Sequence, residues 1–104
     1  MVGKFVFMFI SKAITEGERR SVMPIEGNGD EIITVGVNSY SKAAEVAKKL
    51  VEEEGALQIE LCAGFGHMGV AKVCEALKGK VPVGVVRFDN HPEYDQATGD
   101  ELWL

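Results

Sequence analysis

The chain has 104 residues, 46% of them hydrophobic and 26% charged, which suits one globular domain with a single core and excludes a disordered chain. The formal net charge of -5 and the lack of a basic cluster speak against phosphate-backbone binding, so no nucleic acid is expected as a partner. No apolar stretch is long enough to span a bilayer, and no membrane is expected.

The run Phe5-Val6-Phe7-Met8-Phe9-Ile10 after Lys4 is too short for a secretory h-region and reads as a buried first strand. It is apolar on both faces, as in a central strand covered on both sides. Residues 11–20 are polar and poorly periodic and read as a loop. Residues 21–26 and 31–37 flank Gly27-Asn28-Gly29-Asp30, a hairpin signal because glycine and asparagine tolerate positive φ. Pro24 lacks a ladder donor and assigns the first arm to a sheet edge. Ile32-Ile33-Thr34-Val35 is β-branched and belongs deeper in the sheet.

Ser39 or Ser41 caps a helix running to about residue 54, with Ala43, Val46, Ala47, Leu50 and Val51 on one apolar stripe. Gly55 suits its C-terminal cap. The acidic run Glu52-Glu53-Glu54 reads as a solvated face. Residues 57–61 alternate apolar and polar, as in a strand with one wet face. A second helix is predicted over 67–77, with Val70, Val73, Cys74 and Leu77 inward. Residues 81–86 form a last strand, and 87–100 an irregular acidic segment before Leu102-Trp103-Leu104. That terminal apolar pair, Trp103 and Leu104, is expected either to tuck onto the core or to pack on another copy.

The order β-β-β-α-β-α-β predicts a single small α/β domain over 1–104. It has a mainly parallel sheet, an antiparallel hairpin edge and two main helices. Ligands of such sheets bind beyond the carboxyl ends of the strands. That rule gathers Ser39, Cys62, Gly64, Phe65, Gly66, His67, Arg87, Asp89 and His91 at one edge.

Gly64, Gly66 and Gly69 have G-x-G-x-x-G spacing between a strand and a helix, and Asp89 follows Gly69 by about 20 residues, which on paper is a dinucleotide fingerprint. In the functional reading, the N–H groups of Gly66, His67 and Met68 hold a phosphate or carboxylate. In the structural reading, the glycines serve the turn alone. A full dinucleotide site is disfavoured, because only one strand follows the motif. Arg87 is a natural oxyanion clamp.

Cys62 is either a nucleophile with His67 or His91 as its base, or a small packed residue beneath the turn. Cys74 reads as core. Without a C-x-x-C pair the two thiols are expected free, in the cytoplasm. No ligand spacing matches a zinc site, no metal is expected, and the sequence identifies no cofactor.

Leu61-Cys62-Ala63-Gly64-Phe65-Gly66, Val81-Pro82-Val83-Gly84-Val85-Val86-Arg87-Phe88-Asp89 and Val35-Gly36-Val37-Asn38-Ser39-Tyr40 resemble a family of small uncharacterised prokaryotic α/β proteins, a domain of unknown function. The resemblance spans nearly the whole chain. It implies one compact domain and transfers no activity.

The expectation is a protein that binds a small anionic or phosphorylated metabolite. Its ligand-binding residues would be Ser39, Gly64, Phe65, Gly66, His67, Arg87, Asp89 and His91. One alternative is a small enzyme with Cys62 or His91 in nucleophilic or acid–base catalysis. The other is a structural homo-oligomer without a ligand. The partners expected are a small anionic ligand and further copies of the chain.

Overall fold

A computed structural model describes residues 3–104. Strand β1 (Lys4–Ile10) leads into β2 (Glu18–Pro24) and β3 (Glu31–Val37). Helix α1 (Tyr40–Glu52), strand β4 (Ala56–Leu61), helix α2 (His67–Leu77) and the short β5 (Val83–Val85) follow, and α3 (Gly99–Trp103) closes the chain. The 5-stranded sheet has the order β2-β3-β1-β4-β5. Only β2 runs antiparallel, against β3; the other pairs are parallel. The chain is thus the α/β domain, with a hairpin edge, that the element order predicts.

Both crossovers step in one direction, from β3 past β1 to β4 and from β4 to β5. Right-handed crossovers stepping the same way land on the same face, so α1 and α2 share one side of the sheet. That side is the core: Val6, Met8 and Ile10 of β1, Ile33, Val35 and Val37 of β3, and Ile59 and Leu61 of β4 are buried there. They lie under Ala43, Val46, Ala47 and Leu50 of α1 and Val73 and Leu77 of α2. Ser39 starts α1 by accepting a hydrogen bond from the Lys42 N–H at 3.0 Å.

The opposite face differs from expectation. β1 is the central strand, but the layer predicted on its second side is missing. Phe5 and Phe7 are half-buried there and Phe9 is 43% exposed. Beside them on the same face lie Arg19 and Ser21 of β2, Thr34 and Gly36 of β3, and Glu60 of β4, fixed by the register Arg19–Gly36–Phe9 and Ser21–Thr34–Phe7–Glu60.

Three boundaries move. β2 begins at Glu18, inside the expected loop, and β5 shortens to three residues. The acidic segment after Arg87 is ordered: a turn folds on His91, whose C=O accepts from the N–H groups of Tyr94 and Gln96. α3 then starts on a Thr98–Glu101 capping box. The acidic end of α1 is also more than a wet face. Arg20 donates to Glu54 at 2.6 Å and Lys80 to Glu52 at 2.7 Å, tying the edge strand and the α2–β5 loop to the helix. The Arg20 hydrogen bond holds the Glu54 carboxyl below its usual range.

Candidate functional site

The glycine turn sits where the sequence puts it, between β4 and α2 at the carboxyl edge of the sheet. What meets it is the chain itself. Asp100 of α3 accepts from the Met68 N–H at 3.0 Å, the Gly69 N–H at 3.4 Å and the Tyr40 hydroxyl at 2.9 Å. The same hydroxyl accepts from the Gly66 N–H at 3.0 Å. The positive end of α2, expected to receive a ligand anion, therefore receives an internal carboxylate. Burial pushes the Asp100 carboxyl upward, but the Met68, Tyr40 and Gly69 hydrogen bonds outweigh it and hold its pKa below the ordinary 3.8. Burial pushes the Tyr40 phenol well above its ordinary value.

Each glycine of the fingerprint has a packing partner. A Cβ at Gly64 would lie 2.7 Å from the Tyr94 hydroxyl, at Gly66 2.5 Å from the Asp100 nitrogen, and at Gly69 2.9 Å from the Tyr40 hydroxyl. Gly99 answers them from α3, with a Cβ there 2.6 Å from the Gly66 nitrogen. Phe65 is buried and stacks on Tyr40 with centroids 5.8 Å apart. The spacing that imitates a dinucleotide motif is that of a turn on which Tyr40 and α3 pack.

The remaining expected residues divide into two groups. His67, Arg87 and Asp89 meet on the surface beside the start of α2. The Arg87 guanidinium contacts the His67 ring and donates from Nε to Asp89 at 3.0 Å. That hydrogen bond lowers the Asp89 pKa. Their proximity confirms that the tips of β4 and β5 lie together. Ser39 is spent on capping α1.

Cys62, Gly64 and His91 instead line a cavity of about 890 Å³ on the uncovered sheet face. Its floor is Phe7 and Phe9, edge to face at 4.7 Å. One wall is Phe88, His91 and Tyr94, with the His91 ring stacked on Tyr94 at 4.1 Å and edge-on to Phe88 at 5.1 Å. The other wall is the segment after β1, whose Ile14 reaches within 3.0 Å of where a Gly36 Cβ would stand. Trp103 and Leu102 close the end nearest α3. The Trp103 Nε1 is buried without a hydrogen-bond partner, and Lys12 Nζ lies 5.6 Å over the indole. Arg19 borders the cavity from β2.

Two groups expected to carry chemistry are held by their own loops. His91 Nδ1 accepts from the Glu93 N–H at 3.1 Å, which leaves the proton of the neutral ring on Nε2. Cys62 Sγ accepts from the Gly64 N–H at 3.4 Å, the packed-thiol arrangement. Cys74, expected in the core, is exposed on α2. Only the Val70, Val73 and Leu77 side of that helix faces inward. Among the described residues no group of three or more His, Cys, Asp or Glu side chains could hold a metal ion, and no helix is long and apolar enough to cross a membrane.

Sequence reading missed Tyr40, Tyr94 and Asp100; Trp103, expected either to tuck onto the core or to pack on another copy, is half-buried against the core. The Thr98-Gly99-Asp100-Glu101 capping box was the available signal for α3; nothing local to Tyr40 marks it as the residue under the turn.

Fold and cavity define a one-sided α/β sheet protein, with α1 and α2 on one face and an apolar cavity on the other. The chain belongs to the family of unknown function DUF6506, whose family model matches residues 3–101. No curated protein matches the sequence.

Proposed function

We propose that this protein binds a small amphipathic anion in the cavity of the open sheet face, with an apolar or aromatic body on Phe7, Phe9 and Phe88 and its charged end toward Lys12. The observation that carries this reading is the cavity itself. Its volume of about 890 Å³ falls within the roughly 300–1,000 Å³ of small-molecule pockets. Its surface is mostly apolar and aromatic, the usual character of such sites, with the charged Lys12, Arg19, Arg20 and Glu93 among its lining residues. The glycine turn is a poorer candidate, because Asp100 already holds two of its N–H groups.

Trp103 is the one tryptophan of the chain and lines the cavity, so its fluorescence reports occupancy. Titration with anilinonaphthalene sulfonate, an aromatic anion, should change that emission saturably and one-to-one, with a dissociation constant of about 10 µM or tighter. Lys12→Glu should weaken it about tenfold, the Coulomb effect of reversing a nearby charge in a partly screened site. Non-saturable binding, or binding indifferent to Lys12→Glu, contradicts the proposal.

A further inference from the structure

We infer that the uncovered sheet face is a contact surface between two copies of this chain, related by a twofold axis running along β1. Phe5, Phe7 and Phe9 stand in file on the central strand of the sheet, with Phe9 43% exposed. The helices that bury the other face do not reach this one. An apolar file along the middle of an open sheet is the surface that a second sheet covers in aligned face-to-face packing.

Charge makes the second copy the fitting occupant. The strand order puts β3 and β4 at equal distances on either side of β1, with β2 and β5 outside them. Rotation about an axis parallel to β1 and lying between the two sheets therefore sets β2 of one copy over β5 of the other, and β3 over β4. The β2–β3 half presents Arg19 and the hydroxyls of Ser21 and Thr34. The β4–β5 half presents Glu60 beside Gly84. A Cβ at Gly84 would lie 3.5 Å from Cγ of Glu60, so the glutamate leans over the glycine, toward the strand that Arg19 of the second copy would cross. Among the described residues neither Arg19 nor Glu60 has an ion-pair partner within the chain; Glu60 accepts only from Gln58, at 2.9 Å. The two halves are complementary in charge, as an isologous interface requires. The rotation twice brings Arg19 of one copy toward Glu60 of the other, one row further along the strands, since Arg19 lies in the row of Phe9 and Glu60 in that of Phe7. The cavity opens on this same face, so the second copy would form its missing wall. The inference stands whether or not the cavity takes a ligand.

Sedimentation velocity of the wild-type chain should show a dimer at about 50 µM, well above a micromolar dissociation constant. Arg19→Glu and Glu60→Arg should each weaken it at least tenfold, and the double swap should restore it, with circular dichroism confirming that all variants are folded. A monomeric wild type overturns the inference. So does a dimer untouched by the single swaps, or one that the double swap fails to restore. Tryptophan titration of the same samples reads ligand binding separately, so a monomer that still binds the probe sinks this inference and leaves the binding proposal intact.

Discussion

The Tyr40 hydroxyl donates to the Asp100 carboxylate at 2.9 Å while accepting from the Gly66 N–H at 3.0 Å. This pair links the first residue of α1 to the last helix of the chain, 60 positions apart, directly at the turn between β4 and α2. It converts a motif that looks like a ligand cradle into a joint. The carboxylate also takes the Met68 and Gly69 N–H groups, so the positive end of α2 is neutralised from within. With that end occupied, the ligand site proposed above is the cavity on the open sheet face.

A methyl group at Gly66 tests the joint. Its Cβ would sit 2.5 Å from the Asp100 backbone nitrogen, too close for a shift of side chains alone to relieve. Gly66→Ala should therefore lower stability by about 1–3 kcal/mol, the range for overpacking a tight site, read as a drop in the urea midpoint. Adding Asp100→Ala should restore it only in part, because it removes the clash with the Asp100 side chain but not that with the Asp100 backbone nitrogen. Full restoration would mean that α3 does not pack on the turn.

Acid should dissolve the same joint. The folded pKa of Asp100 lies below its ordinary value of 3.8. Its contribution is therefore present above that value and fades as pH falls through the folded pKa. The urea midpoint of wild type should exceed that of Asp100→Asn by a constant margin above about pH 5, and the two should converge in more acid solution. A gap that stays constant down to pH 2 would be inconsistent with a carboxylate acting as the acceptor.

Much of the fold was legible because its signals are local or periodic. The stripe Ala43–Val46–Ala47–Leu50 gave α1, the β-branched runs gave the strands, and strand–helix–strand order gave the parallel sheet. Cys74 was misread because it follows Val70 by four residues and so adjoins it on the helix face, at the edge of the inward stripe of Val70, Val73 and Leu77 where core gives way to solvent. The double-faced apolarity of β1 was real, but its cause differed: one face is the core, the other the aromatic floor of the cavity. The candidate site was legible only in part. Glycine spacing is the same whether the close neighbour is a phosphate or the chain's own Asp100, and that contact crosses more than 30 residues.

Thiol chemistry should separate the two cysteines. Cys74 is exposed and Cys62 half-buried in the cavity wall. Reaction with a disulfide reagent should show a fast phase that Cys74→Ser removes and a slow phase from Cys62. Saturating anilinonaphthalene sulfonate should slow the Cys62 phase and leave Cys74 unchanged. A faster Cys62 would favour the nucleophile reading, since reactive cysteines combine access with thiolate character.

The most direct measurement is the shift of backbone amide and indole NMR signals during titration with anilinonaphthalene sulfonate and, separately, with inorganic phosphate. The account predicts saturable shifts at the Trp103 indole N–H, Gly36 and Lys12 with the aromatic anion, and no saturable shift at Met68 or Gly69 with phosphate. Phosphate moving Met68 and Gly69 while Trp103 stays still would contradict it, returning the ligand to the glycine turn.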